Sequence, residues 1–371
     1  MPKTLHEIEF LRLQRTSLPI QRPTWLPSYM PELDGLRGLA ILWVVLYHCD
    51  PLLQGTWLHR IAEWGWAGVL LFFALSGFLI TSNLLAARDK PHYFHNFHAR
   101  RALRIWPVYI LVLAVVYLNA PWFIVPNVGV LAAIKAAPWL AYIFFVQNLF
   151  HLSLPAALGP TWALAVEEQY YFLWAPLVRF LRRPWALAVV LTCALICSPL
   201  MRQLNPVWLK GLPSHTLIKL DGIALGSLLA LALYTIKISR RVCLWIGLVT
   251  FVLGIAAAAT IAGGTALLDT ALAASFTGAA LALMASTGAR NPVNVLLRRG
   301  PLAFYGRISY GLYMIHIMAF IFIGWFDLRM AHYGTAGNLT VVAARYAVST
   351  ALAAALWYGF ESQILKLKRY F

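Results

Sequence analysis

Charge is what this sequence has least of. Only 12% of its 371 residues are Asp, Glu, Lys or Arg, and 13 acidic side chains face 30 basic ones. No extended polar stretch interrupts the chain, so the sequence predicts no attached soluble domain. The first thirty residues contain Lys3, Arg12, Arg15 and Arg22 but no continuous apolar core, which excludes a signal peptide there. Residues 1–32 are expected to form a cytoplasmic tail, either solvated or resting on the membrane through Leu5, Ile8, Phe10 and Leu11. Cysteine is scarce too. Cys49, Cys193, Cys197 and Cys243 all lie in or beside apolar runs, so no disulfide framework is implied. Cys193 and Cys197 are four residues apart without a nearby His or carboxylate, so they read as packing residues and no metal is expected.

What the chain has in excess is hydrophobicity. Apolar residues make up 61% of it, and the mean hydropathy is +0.71. Apolar stretches near the ~20 residues that a bilayer requires fall at 38–54, 67–86, 103–120, 162–181, 185–201, 216–236, 242–263, 266–288, 302–325 and 340–360. In a soluble protein the basic surplus would point to nucleic acid. Here it sits in short loops between apolar runs, where it sets topology, and no nucleic-acid partner is expected. An eleventh stretch, 131–150, contains Lys135 and Pro138. A full crossing there would put the basic clusters on either side of it on opposite faces, so it reads as re-entrant or interfacial. The expected fold is an all-α polytopic membrane protein of about ten transmembrane helices plus that segment, with both termini cytoplasmic. The membrane domain would run from 33 to 363, followed by a short basic cytoplasmic tail, 364–371. The inner (cytoplasmic) membrane is the expected location.

Ionisable groups inside such spans are costly, which makes them candidates for function. In LRGLAILWVVLYH, residues 36–48, Arg37 and His48 are eleven positions apart. On a helix that is three turns plus about 20°, so they share a face ~16 Å apart along the axis. His48 is either a neutral imidazole hydrogen-bonded to another helix or a general base. In HARRALRIWP, residues 98–107, Arg100, Arg101 and Arg104 stand at i, i+3 and i, i+4 spacings. Such a guanidinium fork suits phosphate, and it also suits plain anchoring at lipid headgroups. In GPTWALAVEEQYYFLW, residues 159–174, Glu167 and Glu168 point ~100° apart near the outer end of a span, one expected inward and the other toward the interface. Asn148, Gln169 and Tyr170 near this segment are further candidate contacts. Ser76 in FFALSGFLI is either a cavity contact or, with Gly77, part of a small-residue helix contact. Tyr310, Tyr313 and His316 recur along one helix face, either as a cavity lining or as an aromatic belt with one satisfied histidine.

Five of these stretches in this order, LDGLRGLAILWVVLYH, FFALSGFLI, ARRALRIWPVY, TWALAVEEQYYFLWAP and GRISYGLYMIHI, resemble the acyltransferase-3 family of integral membrane O-acyltransferases. The resemblance runs from residue 33 to about 317. Ala163 stands where the family usually has serine, and the last span ends in GFESQ without the proline that often follows the acid, which leaves Glu361 without a role. The resemblance implies an acyl-CoA donor, commonly acetyl-CoA, as substrate with no permanently bound cofactor. It implies a hydroxyl acceptor, commonly a carbohydrate or glycolipid of a bacterial surface. His48 would be the catalytic histidine, Arg37, Arg101 and Arg104 would serve the coenzyme, and Glu167 would support catalysis or the acceptor. The competing expectation is a transporter or flippase of a glycan or lipid precursor, which predicts internal repeats with broken helices, and no convincing repeat is present.

Overall fold

The computed structural model describes residues 21–123, 138–150, 152, 155–261 and 266–371, and every regular element among them is helical. Ten helices have sixteen residues or more: α1 (Pro31–Tyr47), α2 (Ala67–Ala87), α3 (Tyr93–Phe123), α4 (Thr161–Phe180), α5 (Pro184–Leu204), α6 (Leu220–Thr235), α7 (Arg240–Thr260), α8 (Leu268–Ser286), α9 (Pro301–Phe322) and α10 (Gly334–Leu356). Their starts follow local chemistry. α1, α5 and α9 each begin at a proline, whose fixed φ and missing N–H suit a first helical turn. α7 begins after Ser239, whose side chain accepts the Val242 N–H.

By length and composition, six helical stretches among the described residues are apolar enough to cross a membrane: His59–Ala87, Tyr93–Leu118, Pro184–Leu204, Arg240–Thr260, Leu268–Ser286 and Gly324–Tyr370. The long helices outside this set are instructive. α6 is apolar but has sixteen residues, while α1, α4 and α9 carry the charged and aromatic residues singled out above. These polar helices are held in the interior by their neighbours. α1 packs on α9 and α2 on α6, each pair brought together by glycines. A Cβ at Gly38 would strike the Leu302 carbonyl, one at Gly306 that of Asp34, and one at Gly226 that of Ala74. Close backbone approach through small residues is the usual helix contact in a lipid setting, where burying apolar surface gains little.

The bundle therefore has a core and a periphery. The most apolar part of α2 is 78% buried inside the protein, against 17% for α5 and 22% for α7. α5 and α7 leave Trp185, Val189, Ile196, Trp245, Val252 and Leu253 exposed, a surface suited to hydrocarbon rather than water.

Three expected segments are described only in part or take a definite local form. Residues 1–20 of the expected tail lie outside the described residues, as do 124–137 of the doubtful segment. Of that segment, the described part is a five-residue helix, Trp139–Ile143, followed by turns with Phe145 at φ 54°, and it contains no helix of crossing length. The carboxyl end is not an extended tail. After α10 the helix widens to a π-turn (Trp357–Glu361), and Lys366–Tyr370 form a 3₁₀ turn against α3.

Candidate active site

Seven of the residues singled out in the sequence come together around one cavity of ≈ 100 Å³. Arg37 enters it from α1, Ser76 from α2, Arg101 and Arg104 from α3, Glu167 from α4, and Tyr310 and Tyr313 from α9. Ser76 is the tenth of 21 residues in α2 and Tyr310 the tenth of 22 in α9, so the cavity sits at the middle of the bundle. Ser76 and Gly77 divide the two roles proposed for them. Ser76 lines the cavity, and Gly77 packs against the Ile223 carbonyl.

Its electrostatics are lopsided. Three guanidinium groups line it, and Glu167 is the one carboxylate among the lining residues. Arg37 has one ion pair, with Asp34 at 3.8 Å. Arg101 lies over the ring of Tyr171, 4.1 Å from its centre, and its buried Nε has no hydrogen-bond partner among the described residues. Arg104 makes no hydrogen bond or ion pair with the described residues, although Glu361 on the π-turn lies within its electrostatic range. Glu167 accepts a 2.8 Å hydrogen bond from the hydroxyl of Tyr171, and so does not neutralise Arg101 directly. Guanidinium groups aimed into a space with donors unused fit a bidentate anion.

The helix geometry explains how Glu167, the seventh residue of α4, shares a cavity with arginines expected at the opposite edge of the membrane. Counting depth from an assumed span start at 103 put Arg101 and Arg104 at the membrane edge. α3 begins ten residues earlier, at Tyr93, so both arginines lie several turns into a long helix and reach the level of Glu167. Tyr171, which the sequence reading passed over, connects them. It is one turn beyond Glu167 on α4, an i, i+4 spacing legible in advance.

The other candidates separate from this cavity. Arg100 is exposed and does not line it. Glu168 points elsewhere, as its ~100° offset requires, but not to the interface: its Oε1 is buried without a hydrogen bond among the described residues. Asn148 and Gln169 form a clamp. Gln169 Nε2 donates to Asn148 Oδ1 at 2.9 Å, Asn148 Nδ2 donates to Thr216 Oγ1 at 2.9 Å, and Thr216 Oγ1 donates to Gln169 Oε1 at 2.5 Å. Tyr170 pairs with Ser227 at 2.6 Å and stacks on Trp174. These three hold the segment around 148, α4 and α6 together.

His48 ends α1 as its C-cap residue and does not line the cavity. It faces His316 instead, with Nδ1 of His48 3.3 Å from Nε2 of His316 and ring centres 4.8 Å apart. His316 is completely buried, so it is no cavity contact. The two regions adjoin through Tyr313, whose ring borders the cavity and lies 6.0 Å from that of His316. Among the described residues, no group of three or more His, Cys, Asp or Glu side chains is placed to hold a metal ion.

The chain is similar to a peptidoglycan O-acetyltransferase of Listeria monocytogenes, 34% identical over 168 residues, which is 42% of this chain and 25% of that protein. It is likewise similar to a putative peptidoglycan O-acetyltransferase of Bacillus subtilis, 34% identical over 158 residues, covering 39% and 23% of the two chains. An O-acetyltransferase of Staphylococcus aureus is 33% identical over 166 residues, covering 42% and 26%. The matched region thus spans about a quarter of each of these relatives. No solved structure matches the chain. The acyltransferase domain profile matches residues 30–358, nearly the whole bundle with the arginine cavity and both histidines inside it, and the chain belongs to the acyltransferase-3 family.

Proposed function

We propose that this protein is a membrane-embedded O-acyltransferase that moves an acyl group, acetyl by analogy with its relatives, from acyl-CoA to a hydroxyl of a carbohydrate or glycoconjugate. The observation that carries the reading is the surplus of guanidinium groups around a mid-bundle cavity, with Arg101 and Arg104 lacking ion pairs among the described residues. Charge in such a position is stable only with a partner, and an anionic ligand supplies one. Phosphate groups of the coenzyme have the chemistry that guanidinium donors bind in pairs. At ≈ 100 Å³ the cavity is well below the ~300–1,000 Å³ of sites for whole drug-sized ligands, so it takes one anionic group while the rest of the donor extends outward.

In the proposed topology all ten long helices cross the inner membrane with both termini cytoplasmic, because this arrangement places most loop Lys and Arg inside. The donor then enters from the cytoplasm and the acceptor from the opposite side. His48 Nε2 takes the proton of the acceptor hydroxyl. The oxygen attacks the thioester carbonyl carbon, the C–O bond forms, the C–S bond breaks, and the coenzyme thiolate leaves, taking the proton back from His48. The donor never crosses the bilayer. A flippase of the same topology would also use guanidinium groups to hold a phosphate-linked cargo, but it has no need of the histidine pair beside them.

The test is acyl transfer by purified protein in detergent or nanodiscs, with acyl-CoA consumption and acylated acceptor both measured. His48→Ala is expected to lower transfer by about 10²–10⁴-fold, the scale of a general base, with donor binding retained. Retained transfer would remove His48 as the base.

A further inference from the structure

The histidine pair carries more than a base. Backbone carbonyls only accept hydrogen bonds, so they reveal where the ring protons are. His316 Nδ1 lies 2.8 Å from the Tyr313 carbonyl and 3.2 Å from that of Leu312, so it must donate and carry the proton. Its Nε2 is then a lone pair, directed at His48. His48 Nδ1 lies 2.9 Å from the Val44 carbonyl, so it too must carry a proton. That proton is shared between the Val44 carbonyl and His316 Nε2, at 2.9 and 3.3 Å. Both rings are therefore assigned one tautomer. The remaining nitrogen, His48 Nε2, has its lone pair available and no partner among the described residues.

We propose that His316 is the positioning residue that fixes the tautomer and ring orientation of His48, leaving Nε2 as the basic nitrogen. The inference rests on the reading of His48 as the base. His316 suits the task because it is immobilised: it is fully buried, two carbonyls of its own helix hold its Nδ1–H, and the rings of Tyr313 and Phe320 flank it at 6.0 and 5.8 Å. When His48 takes a proton on Nε2, its Nδ1–H becomes a charge-assisted donor, and the His316 lone pair is already placed to accept from it. Among the described residues no carboxylate contacts His48, so an uncharged imidazole does what an acidic partner does in other catalytic pairs. The pair joins α1 to α9, the helices brought together by Gly38 and Gly306, so close helix packing supports the distance between the rings.

The experiment compares wild type, His48→Ala, His316→Phe and His316→Gln in the full-length protein. One readout is the ¹⁵N spectrum of histidine-labelled protein, with His48 assigned by its loss in His48→Ala. The others are kcat and the donor KM. Wild type is expected to show His48 protonated at Nδ1. His316→Phe, which keeps the ring volume and loses the acceptor, is expected to give mixed His48 tautomers and to lower kcat about 10–100-fold, the scale on which outer hydrogen-bond partners of functional histidines act. Donor KM should change less than about twofold. His316→Gln, whose Oε1 accepts from His48 Nδ1, should recover most of kcat. The inference is overturned if His48 is protonated at Nε2 in wild type, if His316→Phe keeps full kcat, or if Gln is no better than Phe. Should His316→Phe not fold, the wild-type spectrum and the Gln variant still decide. An active His48→Ala would sink the base assignment itself, whereas an inactive His48→Ala beside a fully active His316→Phe sinks only the role of His316.

Discussion

Two clusters of charge lie inside this bundle, and they are built on opposite plans. Where α5, α6 and α8 meet, Arg202 donates to Asp221 at 2.7 Å, to Thr270 at 2.8 Å and to the carbonyls of Ile218 and Ala266, while Lys219 donates to Asp269 at 2.8 Å. Asp221, completely buried, also accepts from Thr270 at 2.6 Å and from the Gly222 N–H. Two cations face two carboxylates, and the hydrogen bonds are closed within the protein. Around the mid-bundle cavity three arginines face one carboxylate, and most of their donors are unused. Both clusters place ions where water is scarce, and only the first is complete without a ligand. A closed ion network is structural cement, and an open one with a surplus of one sign is a candidate binding site.

The sharpest way to break this comparison is to remove one member of the closed network. Asp221→Ala leaves Arg202 buried with its main carboxylate gone, and is expected to cost about 3–5 kcal/mol of stability, read as a lowered unfolding midpoint of the detergent-purified protein. The donor KM of the protein that remains folded should not change. An unaltered midpoint would mean that the network is not structural.

The next largest effect belongs to the open cluster and has the opposite signature. Arg101→Gln with Arg104→Gln should leave the unfolding midpoint nearly unchanged, since neither guanidinium has an ion pair to lose among the described residues. It should raise the donor KM by about 10–100-fold for each charge-assisted contact removed, corresponding to roughly 1.5–3 kcal/mol apiece. A double variant with normal donor KM would show that the arginines anchor the helix and bind no coenzyme.

The contrast also explains what could be seen in the sequence. The arginine spacing and the tyrosine pair on α9 are periodic features of single helices, and 3.6 residues per turn suffices to place them on common faces. Seven candidate residues accordingly reach one cavity. The closed network was missed because Arg202, Lys219, Asp221 and Asp269 come from separate segments, and their meeting depends on tertiary packing. The Asn148–Gln169–Thr216 clamp escaped for the same reason. Depth was misjudged because the polar residues 93–102 read as a loop, whereas they begin a 31-residue helix that carries Arg101 and Arg104 inward. His316 was visible as part of the stripe, but its role depends on a partner from α1, 268 residues away in sequence.

The smallest expected effect tests how the open cluster is held in shape. Tyr171 meets Arg101 through its ring face and Glu167 through its hydroxyl. Tyr171→Phe removes only the hydroxyl, so Glu167 is freed to approach the arginines and compete with the donor. The loss of one hydrogen bond corresponds to about 0.5–1.5 kcal/mol, or a donor KM raised roughly 2–10-fold. Tyr171→Leu also removes the ring beneath Arg101, a cation–π contact of about 0.5–2 kcal/mol, and should raise the donor KM further. The gap between the two variants measures what the ring contributes to holding Arg101. If Phe and Leu behave alike, the ring face does not position Arg101. If Tyr171→Phe alone is as harmful as losing Arg101, then Glu167 rather than the guanidinium dominates the cavity.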